Sequence, residues 1–207
     1  MQFRPATAGE IDQIMTVIED GRTALGKLGI DQWQGITPNA ETIGADIAAG
    51  YTMVATEGDA ILGTLAFVDV EEADYSNVTS GSWLLDRENE FKDSPSSVMD
   101  TSAGASSNES GMESADASSA ECPYITLHRV AVASNATGKG VAKFMIRSSI
   151  EMARAMGKQS LRVDTHEGNL PMQHVLERCG FAHCCNIRIT LPAELTKKRL
   201  GYELLLR

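Results

Sequence analysis

One stretch constrains the fold more than any other: Leu127 to Met156, LHRVAVASNATGKGVAKFMIRSSIEMARAM. Leu127 to Val132 is apolar and β-branched, as a buried strand requires. Ala133 to Lys139 supplies small and turn-forming residues. From Gly140 onward, Val141, Phe144, Met145, Ser148, Met152 and Met156 recur three or four apart, while Lys143, Arg147 and Arg154 fall on the other face. That spacing predicts an amphipathic helix. The unit is therefore strand, glycine-bearing turn, helix. The first N–H groups of a helix have no partner inside it, and the positive end of the dipole lies behind them. Gly138 and Gly140 carry no side chain that would keep an anion away from those donors, so the turn is a candidate pyrophosphate cradle. It is not a Walker loop, because no Lys-Ser/Thr pair follows at the required spacing.

The register of this turn, Val132, Gly138, Gly140 and Ala142, resembles the acetyl-CoA-binding motif of the GNAT superfamily of N-acetyltransferases, Gln/Arg-x-x-Gly-x-Gly/Ala. The slot reads Thr137-Gly138-Lys139-Gly140-Val141-Ala142, with Thr137 in place of the usual Gln or Arg. A second stretch is similar to the family's next strand, Asn, short helix and closing Gly-Phe: Leu161 to Thr165, Asn169, then Leu170 to Cys179 and Gly180-Phe181. The resemblance covers nearly the whole chain apart from residues 86–121. It implies an α/β (α+β) fold, with a mixed, mostly antiparallel central sheet, helices on both faces and two central strands that splay apart.

Composition sets limits on the rest. At 207 residues the chain is expected to be a single domain, 1–207, with 43% hydrophobic residues to fill its core. No apolar run reaches the length of a membrane span, and the first residues lack a signal-peptide pattern, so a cytoplasmic protein is expected. Cys122, Cys179, Cys184 and Cys185 have no metal-ligand spacing and do not suit a disulfide framework. No metal is expected. A net charge of −10 argues against a nucleic-acid surface. Much of that charge is local. Asp86 to Glu121 holds nine acidic and two basic residues, and residues 94–119 hold ten serines with almost no large apolar group. Such a segment cannot offset its chain entropy, so a flexible insertion is expected over 86–121.

Strands are expected at Gln2–Ala6, Tyr51–Thr56, Ala60–Val70, Pro123–Val132, Gln159–Thr165, Phe181–Thr190 and Leu200–Leu206, seven in all. Helices are expected after Gly9, over Pro38–Ala49, from Gly140 and over Asn169–Cys179, while Glu71–Trp83 reads as irregular. Trp33, in the polar loop Gly29–Gly35, is either a wall of an acceptor pocket or a lid over the core.

The resemblance also implies a reaction, direct acetyl transfer from acetyl-CoA to an amine. By that likeness Val130, Ala131 and Val132 offer main-chain groups to the pantetheine arm and the thioester oxygen. Thr137, Gly138, Lys139, Gly140, Val141 and Ala142 bind the pyrophosphate, and Asn169 both caps its helix and reaches the arm. A lysine-like amine is neutral only about one part in a few thousand at pH 7, so a base is needed. His128 is the first candidate, since simple alternation puts it on one strand face with Val130 and Val132 and a His titrates near neutrality. His166 and Glu167 are second candidates. The family's acid, a Tyr, has Leu176 at its place, which leaves Tyr124, Tyr202 or an unassisted thiolate. A small amine or amino-acid-like acceptor, a protein N-terminus or lysine, and an acyl-CoA-binding module without turnover all stay open. So does a homodimer, which is common in the family.

Overall fold

The computed structural model describes residues 1–35, 37–93, 122–190 and 195–207. Its frame is a sheet of eight strands: β1 (Gln2–Pro5), β2 (Thr52–Glu57), β3 (Ala60–Val68), β4 (Val78–Gly81), β5 (Tyr124–Val132), β6 (Ser160–Thr165), β7 (Ala182–Arg188) and β8 (Lys198–Leu205). The helices are α1 (Ile11–Lys27), α2 (Ala40–Ala48), α3 (Leu84–Asp93), α4 (Val141–Ala155) and α5 (Leu170–Arg178). The strands lie in the order β1-β2-β3-β5-β6-β8-β7-β4. The pairing of β5 with β6 is parallel, and the other neighbours run antiparallel. A parallel pair needs a crossover, and α4 supplies it.

The central strands are apolar on both faces because helices cover both. Val54, Ala55, Leu65, Ile125, Leu127, Leu161 and Val163 are buried, and α1 and α4 both pack on β3 and β5. Gly63 shows the closeness of one contact. A Cβ there would lie 2.9 Å from Val141 Cγ1 and 2.9 Å from Met145 Cε. The glycine lets the first turn of α4 sit directly on β3. On the other face, Gly21 of α1 lies where a Cβ would be 3.2 Å from Ala131 and 3.1 Å from the Trp33 ring.

Three expectations are corrected. The sheet has eight strands, because Val78–Gly81, within the stretch read as irregular, pairs with β7 at the sheet edge. Residues 86–93 are helical, so the expected insertion does not begin at Asp86; its remainder, 94–121, lies outside the described residues. Finally, the alternation assumed for β5 fails. Ala131 pairs with Thr64 and His128 with Ala66, so β5 holds one extra residue there. Arg129, with φ of 53°, marks this bulge. His128 is therefore in phase with Ala131 and out of phase with Val132.

A second cluster packs Tyr75 and Trp83 against Tyr124, Cys185 and Ile187, with the Tyr75 and Trp83 rings stacked at 4.8 Å. No described helix is long and apolar enough to cross a membrane.

Candidate active site

The site is made by a parting of strands. β5 and β6 pair at Tyr124–Ser160, Ile125–Leu161 and Thr126–Arg162, and there the pairing stops. Both strands continue, β5 to Val132 and β6 to Thr165. Beyond Thr126 the edge of β5 that faces β6 has no strand partner. A cleft of about 930 Å³ fills the gap and runs from the start of α4 to the loop that carries Trp33.

At the α4 end, Ser134–Ala136 makes one 3-10 turn, and the Ser134 N–H donates to Asp20 Oδ2 at 2.7 Å, which fixes the turn to α1. Gly138 (φ 79°) and Gly140 (φ 80°) then adopt left-handed backbone, where an L side chain is strained. A Cβ on either would meet nothing within 4 Å, so the cradle is open on that side. No side chain caps α4, and the free amides of its first turn remain for a ligand. Lys143 and Arg178 line the same end. Donors, dipole and cations together fit a pyrophosphate.

The opposite half has another character. His128 Nε2 lies 2.9 Å from Glu72 Oε2, and Nδ1 lies 3.8 Å from Asp164 Oδ1. The buried Tyr75 hydroxyl donates to the same Asp164 oxygen at 3.0 Å. Arg199 Nε is 3.9 Å from Asp164 Oδ2, and Arg129 Nη2 is 2.5 Å from Asp46 Oδ2. All of these residues line the cleft. Hydrogen bonding from His128 holds the Glu72 carboxyl below the usual carboxylate range, against the pull of burial. Burial, with Asp164 beside it, pushes the Tyr75 phenol well above its ordinary value, so it remains a donor. The cleft thus runs from a cationic end to one rich in carboxylates.

Most residues singled out by sequence meet here. Val130, Ala131, Val132, Thr137, Gly138, Gly140, Val141, Ala142 and Asn169 line the cleft with His128, whereas Lys139 is not among the lining residues. Asn169 is the N-cap of α5, its side chain accepting from the Met172 N–H at 3.3 Å. Trp33 lines the cleft and also packs on the core, held by its carbonyl accepting from Arg22 Nε at 2.7 Å. His166 and Glu167 fall outside the lining. His166 Nδ1 accepts from the Gly168 N–H at 2.9 Å, and burial with Arg199 nearby pulls its imidazole below the ordinary value. Glu167 is at the surface, paired with Lys198 at 2.7 Å. Leu176 is wholly buried in the core. Tyr124 and Tyr202 are not cleft residues either.

Glu72, Tyr75 and Asp164 were not singled out by sequence. The one signal was the acidic run Asp69, Glu71, Glu72 and Asp74, which reads as a solvated loop until the fold sets it over β5.

Comparison with known proteins agrees with this geometry. The model of the acetyltransferase (GNAT) family matches residues 105–181. A GNAT-family acetyltransferase of Streptococcus agalactiae is 28% identical, with a TM-score of 0.72 over 99% of this chain and 94% of that one. A Salmonella typhimurium structure solved with acetyl-CoA as its cofactor is 15% identical, with a TM-score of 0.60 over 100% of this chain and 94% of that one. A ribosomal-protein-alanine N-acetyltransferase of Brucella melitensis is 15% identical, with a TM-score of 0.61 over the full length of both chains. At that identity the last two share the fold alone. No curated protein matches the chain in sequence.

Proposed function

We propose, from the premise that the chain belongs to the acetyltransferase (GNAT) family, that it transfers the acetyl group of acetyl-CoA to a small primary amine held beside His128. Acetyl-CoA supplies the acetyl group as an activated thioester. The amides of Gly138 and of Gly140 to Ala142 hold its pyrophosphate, that of Lys139 being taken by the Ala136 carbonyl at 3.2 Å. Thr137 adds a hydroxyl, and Asn169 and the unpaired edge of β5 at Val130–Val132 hold the arm. An N–H on that edge faces the gap and polarises the thioester oxygen. His128 takes a proton from the amine. The spacing of the four cysteines, which suits no disulfide framework, supports a cytoplasmic enzyme.

The observation that carries the acceptor class is a tie across the acceptor end. Asp31 Oδ2 accepts the N–H groups of Leu195 at 2.8 Å and Thr196 at 2.7 Å. The loop bearing Gln32 and Trp33 is thereby fastened to the segment leading to Arg199, and Gln32, Trp33 and Arg199 line the cleft. An extended peptide would have to break this tie to lie between them. A small amine enters without doing so.

The test is thiol release with a panel of small primary amines and with peptides, for the native enzyme and for His128→Ala. Small amines should be the better acceptors. His128→Ala should lower turnover tenfold or more while the thermal shift given by CoA persists. Peptides acetylated faster than every amine would overturn the acceptor class, and unchanged turnover in the variant would remove His128 as base.

A further inference from the structure

We propose that Asp164 Oδ1 and His128 Nδ1 together form the receptor for the acceptor's ammonium group, so that the enzyme binds its amine in the protonated form and deprotonates it in place. This rests on the reading of the cleft as an N-acetyltransferase site.

The hydrogen bonds decide which nitrogen is free. Glu72 is an ionised carboxylate and can only accept, so the 2.9 Å contact requires the proton on His128 Nε2. In the neutral imidazole Nδ1 then carries the lone pair. It faces Asp164 Oδ1 at 3.8 Å, too far for a hydrogen bond and between two acceptors in any case. Asp164 Oδ1 has one donor already, the Tyr75 hydroxyl at 3.0 Å, and a carboxylate oxygen can take a second. Two acceptors 3.8 Å apart, side by side on a cleft wall, match an –NH3+ group, which can give one N–H to each.

The position is as telling as the spacing. His128 lies on β5 just beyond Thr126, and Asp164 lies on β6 just beyond Arg162, the last residues to pair before the strands part. The pair therefore spans the gap at its inner end. The other charged groups are accounted for. Glu72 is on Nε2, Arg199 is 3.9 Å from the second Asp164 oxygen, and Arg129 is turned to Asp46 by the bulge. Tyr75 stays protonated and keeps Asp164 aimed.

The proton balance closes on these groups. The ammonium gives one proton to Nδ1, and the imidazolium so formed has Glu72 at Nε2 and Asp164 at Nδ1. The freed nitrogen pair bonds to the thioester carbon, the C–S bond breaks, and the nitrogen's second proton leaves with the thiol. The proton on Nδ1 passes to solvent. Asp164 binds the ammonium and takes no proton in this balance.

Asp164→Asn keeps the shape and can still accept from Tyr75 but removes the charge. It is to be compared with the native enzyme on two acceptors, an aliphatic primary amine, cationic at neutral pH, and an arylamine, neutral there. The expected result is a KM for the aliphatic amine raised tenfold or more, a KM for the arylamine within about twofold, and an unchanged thermal shift with CoA. An equal loss on both acceptors would make Asp164 a structural residue and overturn the inference, as would no loss on either. His128→Ala read on the same two acceptors separates the parts. If it turns over both amines normally, His128 is not the base, whatever Asp164→Asn does. If the native enzyme releases no thiol with any amine, the site reading falls and this inference with it.

Discussion

Glu203 and Arg162 face each other across β8 and β6, carboxylate to Nε at 2.8 Å, with the Glu203 side chain fully buried. The same carboxylate accepts from the Ser160 hydroxyl at 2.6 Å, from the Leu85 N–H at 3.2 Å and from the Leu84 N–H. Arg162 is in turn covered by the rings of Tyr124 at 4.1 Å and Trp83 at 4.7 Å. One anion thus joins two strands beside the cleft to the first turn of α3, where it sits at the positive end of the helix.

Removing that anion takes the acceptor from Nε of a buried guanidinium, whose Nη2 keeps Asp86 Oδ1 at 2.5 Å, and from two helix amides. Glu203→Ala should therefore cost about 3–5 kcal/mol, the range for breaking a buried ion pair from one side. Urea unfolding measures it. A loss below about 1 kcal/mol, the value of an exposed pair, would mean that water reaches Arg162 once the carboxylate is gone.

The cradle makes a prediction that separates backbone from charge. Gly140 has φ of 80° and open space where a Cβ would go, so Gly140→Ala meets strain without a clash. The expected cost is about 1–2 kcal/mol in stability. Gly140→Asp carries the same strain and adds a carboxylate where the pyrophosphate is proposed to lie. Thermal unfolding with acetyl-CoA, CoA and ATP reads both variants. A ligand at about 100 times its dissociation constant adds roughly 2.7 kcal/mol to the native protein. The Ala variant should keep most of the shift with either CoA species, the Asp variant should lose it, and ATP should give none. A full shift in Gly140→Asp would place the ligand elsewhere.

The contrast between the two halves of the cleft explains what the sequence could disclose. The cradle is local, with Gly138, Gly140 and the helix face lying within one stretch, and spacing alone exposes it. The acceptor half is assembled from Glu72, Tyr75, His128 and Asp164, brought together by a sheet whose order differs from chain order. No short-range pattern records such a meeting. The bulge at Arg129 was hidden for another reason, since Val130 and Val132 continue the alternation from His128 in sequence and the register against β3 exposes the extra residue. β4 is four residues at an edge, and its pairing with β7 rather than its own composition makes it a strand. α3 was absorbed into a polar, acidic stretch because its support comes from Glu203, more than 100 positions away along the chain.

The entry to α1 gives a pH prediction. Glu10 receives both Arg4 Nη groups, at 3.0 and 2.6 Å, and the N–H and hydroxyl of Thr7 at 2.8 and 2.9 Å. The pair ties β1 to the start of α1 in a capping box. The Arg4 hydrogen bonds lower the Glu10 carboxyl to about 2, from 4.5 in the free side chain. A folded value below the unfolded one means that the unfolded chain binds the proton first. The contribution is whole above pH 4.5 and is lost as the pH falls to about 2. Glu10→Gln should therefore be less stable than the native protein at neutral pH, and the gap in Tm should close across that window. Because Arg4 and Glu10 keep contact with solvent, 1 M salt, where the screening length is about 3 Å, should shrink the neutral-pH gap as well. A gap that stays constant from neutral pH to about pH 2 would assign Glu10 a packing role and leave its charge without effect.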